Sequence, residues 1–265
     1  MKRLNPKTAV AFLATATMVA ALVVPAVVHA ETTGVDPAAT RILKNMTDYL
    51  GSLQKFSVHT ENTLEDLLDS GQRVDFDVSA STTISRPNRL RAERKGDLVN
   101  QVFYYDSKSL TLYDPVTKVY ATEPTAKTIE GMLDYARGSL GLIVPASDLV
   151  YSNAYTLLMQ GVTSAKVVDK RVIDGKVCTH LAFSRPDVDF QVWVRDGDKP
   201  LPCKYVVTDT STPQLLSIST VMSDWNIAPN VSNDSFNFVP PKDARAITFM
   251  PLDEWPVANE SGASK

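Results

Sequence analysis

Reactive side chains are scarce in this chain. Among 265 residues there are three histidines and two cysteines. One histidine, His29, falls in the N-terminal leader; the others, His59 and His180, have no cluster of cysteine or histidine around them of the kind that holds a metal. Cys178 and His180 share one face of a strand without further sulfur or imidazole ligands nearby in sequence. No metal, no cofactor and no catalytic residue is therefore expected. A hydrolase built on Cys178 or His180 is the weakest of the functional alternatives, because residues two apart on a strand sit about 6.5–7 Å apart at Cα, which allows proximity without establishing a dyad. Glycine-rich phosphate loops are missing too: Gly96-Asp97 and Asp174-Gly175 are turn signals. Basic residues are in deficit, 27 against 30 acidic, for a net charge of −3, so nucleic acid is not an expected partner. Beyond the leader no segment is long and apolar enough to span a bilayer, and membrane contact is expected to be peripheral at most.

What is present begins with that leader. Lys2, Arg3 and Lys7 form a basic start, Thr8 to Val28 carries no charge, and Val28-His29-Ala30 offers small residues at a cleavage site. This is a secretory signal pattern. Pro25 and the small-residue exit argue against a retained membrane anchor. The expected organisation is a signal peptide over residues 1–30 cleaved near Ala30, a single domain over 31–245 and a polar tail over 246–265. The expected location is the bacterial periplasm. No cysteine lies near the cleavage point, so lipid attachment there is not expected.

The mature chain is dominated by short strands. Asp36 and Pro37 open a helix with an apolar stripe of Ile42, Leu43, Met46, Tyr49 and Leu50, and Gly51 reads as its stop. The period then changes to two. Phe56, Val58, Thr60, Asn62 and Leu64 alternate with polar residues, and after Ser70-Gly71 so do Val74, Phe76, Val78, Ala80, Thr82 and Ile84, which makes an amphipathic hairpin. Further strands follow at Leu90–Lys95, Val99–Tyr105, Leu110–Tyr113 and Lys118–Thr122. Ile129, Met132, Leu133 and Ala136 recur at helical spacing, and a second helical stretch covers Asp148–Met159. Strands resume through Val162–Val168, Lys176–Phe183, Val188–Arg195, Lys204–Thr208 and Leu215–Trp225. The count is about eleven strands, nearly all joined as hairpins. The fold class is mainly β (α+β): a strongly curved antiparallel sheet forming a half-barrel, with the N-terminal helix and the inserted helices covering its concave face.

Two cysteines in an oxidising compartment suggest a disulfide. In simple register Cys178 and Cys203 flank Arg195 from either side of the middle strand, about 9–10 Å apart, beyond the roughly 7 Å that a disulfide tolerates. A bulge or a strand end at Pro202 would restore the bond. Arg89, Arg91, Glu93, Arg94 and Lys95 form a basic run that could face a phospholipid headgroup or an acidic peptide, or could protect a sheet edge. Trp193 and Phe103–Tyr105 suit either a binding groove or the core.

Several stretches carry a family resemblance: Ser85-Arg86-Pro87-Asn88-Arg89-Leu90, Phe103-Tyr104-Tyr105-Asp106, Leu112-Tyr113, Tyr120-Ala121, the run from Ser184 to Trp193, Pro200-Leu201-Pro202 and Phe236-Asn237-Phe238. Over roughly residues 37–245 the chain resembles the periplasmic proteins of the DUF2092 family and, in element order, the LolA/LolB-like half-barrel. The resemblance implies a cavity between sheet and helices, which in the lipoprotein carriers holds acyl chains. The expected function is a soluble periplasmic carrier or chaperone for a lipid or a lipidated protein. Its ligand would lie against Val58, Phe76, Val78, Leu181, Phe183, Val192 and Val194, under Ile129, Met132 and Leu133. The alternative is a non-enzymatic envelope module that binds a protein partner through an open sheet edge or groove.

Overall fold

The alternating stretch on either side of Ser70-Gly71 forms one long hairpin. In the computed structural model, which describes residues 34–97 and 99–250, β1 (Lys55–Leu67) and β2 (Arg73–Ser85) pair antiparallel from Lys55↔Ser85 to Leu67↔Arg73. This register sets Val58, Thr60 and Asn62 opposite Thr82, Ala80 and Val78, so the inward faces of the two strands run on without interruption. A meander continues through β3 (Arg89–Gly96), β4 (Asn100–Tyr105), β5 (Ser109–Asp114) and β6 (Val119–Pro124). The second meander is β7 (Ser164–Ile173), β8 (Lys176–Arg185), β9 (Val188–Arg195), β10 (Pro202–Asp209) and β11 (Ser217–Asn226), and β11 returns to pair with β1. Asp174 and Gly175, both at positive φ, make the tight β7–β8 turn, as their dipeptide predicts.

A twelfth strand, β12 (Arg245–Ala246), pairs parallel with β6 and completes the order β12-β6-β5-β4-β3-β2-β1-β11-β10-β9-β8-β7. The expected strands are therefore one short, and the sheet is mixed at one edge. A two-residue strand has no period to read, and it pairs through backbone groups alone. The remainder is the expected curved, open, mainly antiparallel half-barrel.

Helix α1 (Pro37–Ser52) starts where Asp36 accepts a hydrogen bond from the Ala38 amide at 2.7 Å and Pro37 presets the first turn. Gly51 is not its stop: the helix runs to Ser52, and the Leu53 amide closes back on the Leu50 carbonyl. Leu43, Met46 and Leu50 are buried in the core that also contains Leu181, Phe183, Phe190 and Val192, and α1 packs over β7, β8 and β9. Helix α2 (Ile129–Gly138) is capped by Thr128 on the Gly131 amide. The single helix expected over residues 148–159 is instead a 3₁₀ turn at Ser147–Leu149 and a short α3 (Ala154–Met159). The intervening Ser152-Asn153 pair favours turns over helix interiors, and the Tyr151 hydroxyl is held by Asp134 of α2 at 2.7 Å.

The outer face of β8–β10 carries the two cysteines, and they are bonded, with Cα atoms 6.7 Å apart. Simple register spaces them more widely. The pairing shifts between Pro202 and Lys204, which leaves Cys203 as the extra residue opposite Trp193 and Val194, and Cys178 pairs with Arg195 at the end of β9, so the bond crosses the outer face of the last residues of β9. Trp193 packs with both cysteines, and the His180 ring stacks on it at 4.0 Å.

Gly96 faces Val78 across β2, and a Cβ there would stand 2.1 Å from the Asp77 carbonyl oxygen and 2.7 Å from the Val78 Cα. Both obstacles are backbone, so Gly96→Ala should destabilise by about 1–3 kcal/mol, read by urea denaturation. The disulfide spans 25 residues, a loop whose closure restricts the unfolded chain, so the Cys178→Ser/Cys203→Ser double variant should lose about 3 kcal/mol, read by the same measurement without reductant.

Candidate functional site

Large and small side chains are distributed unequally over the inner face of the sheet. Toward β7–β10 the face is filled: Phe183 stacks on Phe190 at 4.6 Å, and Leu181 and Val192 are fully buried. Toward β1–β3 the inward positions become small. Thr60 lies beside Ala80, Ala80 beside Arg94, and Thr82 beside Ala92. Side chains of that size do not reach the cover above them. The result is a cavity of about 110 Å³ whose floor includes these residues with Val58, Val78 and Phe103. Its roof is Met132, Leu133 and Ala136 of α2 with Val144, Pro145 and Val150, and its far wall holds Met222 and Trp225. The volume is somewhat below that of the roughly 150 Å³ engineered cavity that takes up benzene. The lining is almost wholly apolar, which favours hydrocarbon.

Of the residues expected at the ligand, Val58, Val78, Met132 and Leu133 line this cavity. Leu181, Phe183, Val192 and Val194 lie on the same sheet and are buried in its core, outside the lining, as is Ile129. Phe76 is half-buried near the far end of β2 and also lies outside the lining. Phe103 lines the cavity, whereas Trp193 belongs to the outer face beside the disulfide. Thr60, Ala80, Thr82, Ala92 and Arg94 escaped the sequence reading. For the first four the signal is a run of small side chains in phase on three adjacent strands, whereas the expected site is built on large apolar residues. Cys178 is committed to its disulfide, and His180 lies between Gln191 at 2.9 Å and Asp169 at 3.3 Å.

The polar groups of the lining are mostly satisfied. Asn62 donates to the Val78 carbonyl at 2.8 Å and accepts from Thr220 at 2.9 Å. Arg94 differs. It is half-buried, it sits over the Phe103 ring at 5.5 Å, and burial holds its guanidinium below the ordinary value. The basic run does not guard an edge, because β3 lies between β2 and β4. It divides by face: Glu93 pairs outside with Arg91 and Lys95, while Arg94 turns in.

The roof is held by polar ties. Arg86, whose side chain is 8% exposed, donates to the Val150 carbonyl at 2.7 Å and stands 4.0 Å from Glu130 of α2. Glu130 in turn accepts from the Ser152 amide at 3.1 Å. Arg137 reaches Ser147 at 2.7 Å and Asp148 at 2.9 Å. The Tyr105 hydroxyl donates to the Ala126 carbonyl at 2.7 Å, and burial, with Asp106 and Glu130 nearby, pushes it up to about 12. Among the described residues no helix is long and apolar enough to cross a membrane.

The model of the family described as "Predicted periplasmic protein (DUF2092)" matches residues 39–250. No curated protein matches the chain. Among solved structures, LprF from Mycobacterium bovis is similar at 15% identity and a TM-score of 0.48, covering 80% of this chain and 100% of that one. An uncharacterized conserved protein from Thermus thermophilus is similar at 12% identity and a TM-score of 0.47, covering 80% and 99%. The lipoprotein LppX from Mycobacterium tuberculosis stands at 20% identity and a TM-score of 0.43, covering 74% and 100%.

Removing the Arg86 side chain takes the donor from the Val150 carbonyl and the counter-charge from Glu130 at the rim of the roof. Arg86→Ala should cost about 1–3 kcal/mol, and amide hydrogen exchange should rise first in residues 147–152.

Proposed function

The chain belongs to the DUF2092 family, described as predicted periplasmic proteins, and on that footing we propose that it is a soluble periplasmic carrier or chaperone that holds an apolar ligand, a lipid or a lipidated protein, in the cavity of its half-barrel. A leader over residues 1–30, cleaved near Ala30, delivers the domain of residues 31–245 to that compartment. The observation that carries the reading is the apolar cavity itself, floored by Thr60, Ala80, Thr82 and Ala92 and roofed by α2. Packing at native density leaves few voids larger than a water molecule, and here a void coincides with a cover tied down by a handful of polar contacts. Catalysis forms no part of the reading: the Cys178 thiol is consumed in a disulfide, and His180 is packed between neighbours on the outer face. A second reading, an envelope module binding a protein partner, draws on the β7 edge, where Val168 and Val172 are exposed on a terminal strand.

The mature protein should take up a fluorescent fatty acid, and native mass spectrometry of protein purified from cells should show a bound lipid. Ala80→Leu, which fills the floor, should weaken uptake at least about tenfold while leaving thermal stability intact. Clean apo protein that takes up nothing would overturn the carrier reading. Co-purification of an envelope protein that is lost in Val168→Asp/Val172→Asp, with no lipid present, would move the assignment to the second reading.

A further inference from the structure

The cavity has a charged end. Arg94 lines it, and among the described residues no carboxylate stands within ion-pairing distance of its guanidinium and no group accepts a hydrogen bond from it; its one close polar relation is the face of Phe103 at 5.5 Å. Its neighbours across the strands are Ala80 and Gln101, and Ala92 and Gly96 flank it on its own strand face. Arg86 makes the contrast plain: its side chain is the more deeply buried, 8% exposed against a half-buried Arg94, and it is served by Val150 and Glu130. A half-buried guanidinium with no protein partner is less well served than one in bulk water, and a ligand anion would restore what it lacks. Its planar fork of donors matches an oxyanion in two-point geometry, and the apolar walls beside it match a hydrocarbon chain.

We propose that the ligand is an anionic amphiphile, a carboxylate or phosphate carried on a hydrocarbon chain, with its oxyanion bound by Arg94 and its chain lying over Ala80 and Ala92 beneath α2. The proposal rests on the carrier reading and narrows it to a ligand class. The cation–π contact with Phe103 holds the guanidinium against one wall of the cavity that it lines. The anion supplies the counter-charge that the protein does not.

The test compares three ligands of one chain length, hexadecanoate, hexadecyl phosphate and the neutral hexadecanol, by displacement of a fluorescent fatty acid from the mature protein. The wild-type chain should bind at least one of the two anions about tenfold to a hundredfold more tightly than the alcohol, and whichever anion is preferred identifies carboxylate or phosphate as the head. Arg94→Met, close in size and without charge, should lose that preference while still binding hexadecanol, and Arg94→Lys should keep part of it. Equal binding of alcohol and anions by the wild-type chain would overturn this proposal and leave the carrier reading standing. Failure to bind any of the three would overturn both. Should Arg94→Met fail to fold, the wild-type comparison and Arg94→Lys still decide.

Discussion

An inner sheet face must be covered, and the described residues include little helix with which to cover it. The long helix, α1, lies over β7–β9, and Leu43 and Met46 are buried in one core with Phe183, Phe190 and Val192. What remains for β1–β3 is ten residues of α2 and an irregular stretch around a 3₁₀ turn. A cover that short closes a core only if the side chains beneath it are large. They are small, and the mismatch between a short roof and a low floor is what creates the cavity. Filling either side would abolish it, since larger side chains there would occupy the space.

The rest of the sheet stiffens the frame around that gap. The Cys178–Cys203 bond joins β8 to β10 across the last residues of β9. On the opposite half, Phe238 packs against Tyr104, Tyr113 and Tyr120, at 5.3, 5.3 and 5.0 Å between ring centroids, and β12 then pairs with the edge strand β6. Both devices act on the outer face or at the edges. Neither contributes a side chain to the cavity, so the inner face is free to be underpacked without the sheet losing its curvature.

The long elements were legible because their periods are strong. The β1–β2 hairpin, with thirteen residues in each strand, follows from the alternation over residues 56–65 and 74–84 about one turn, and the start of α1 from Asp36-Pro37. The family resemblance, carried by runs such as Ser184 to Trp193, was legible too. What failed to show was set by contacts between distant segments. Tyr151 breaks a helical pattern by reaching Asp134. Ala246 becomes a strand because Tyr120 is beside it. Local sequence has no means of recording either event. The cavity was half legible: of the residues expected at the ligand, Val58, Val78, Met132 and Leu133 line it, but the same sheet face continues under α1, where Leu181, Phe183, Val192 and Val194 form solid core. Which part of a face is hollow depends on the helix above it, and only the small residues Thr60, Ala80, Thr82 and Ala92 hinted at it.

The polarity of the ties around the roof bears on how such a hollow can be entered. At about 110 Å³ it accommodates only the beginning of an acyl chain, so a longer guest requires the roof to lift. Apolar contacts resist separation in proportion to the area exposed, and α2 buries only Ile129, Met132, Leu133 and Ala136. The contacts of Arg86, Arg137 and Tyr151 are directional and few, and each, once broken at the rim, is offset by water. A roof fixed mainly by such bonds exchanges them for solvent with modest net loss, whereas α1, seated on stacked aromatics, does not. The half of the molecule that holds a void is thus also the half whose cover is held by the more replaceable interactions, and the curved sheet under both halves can stay as it is while one of them opens.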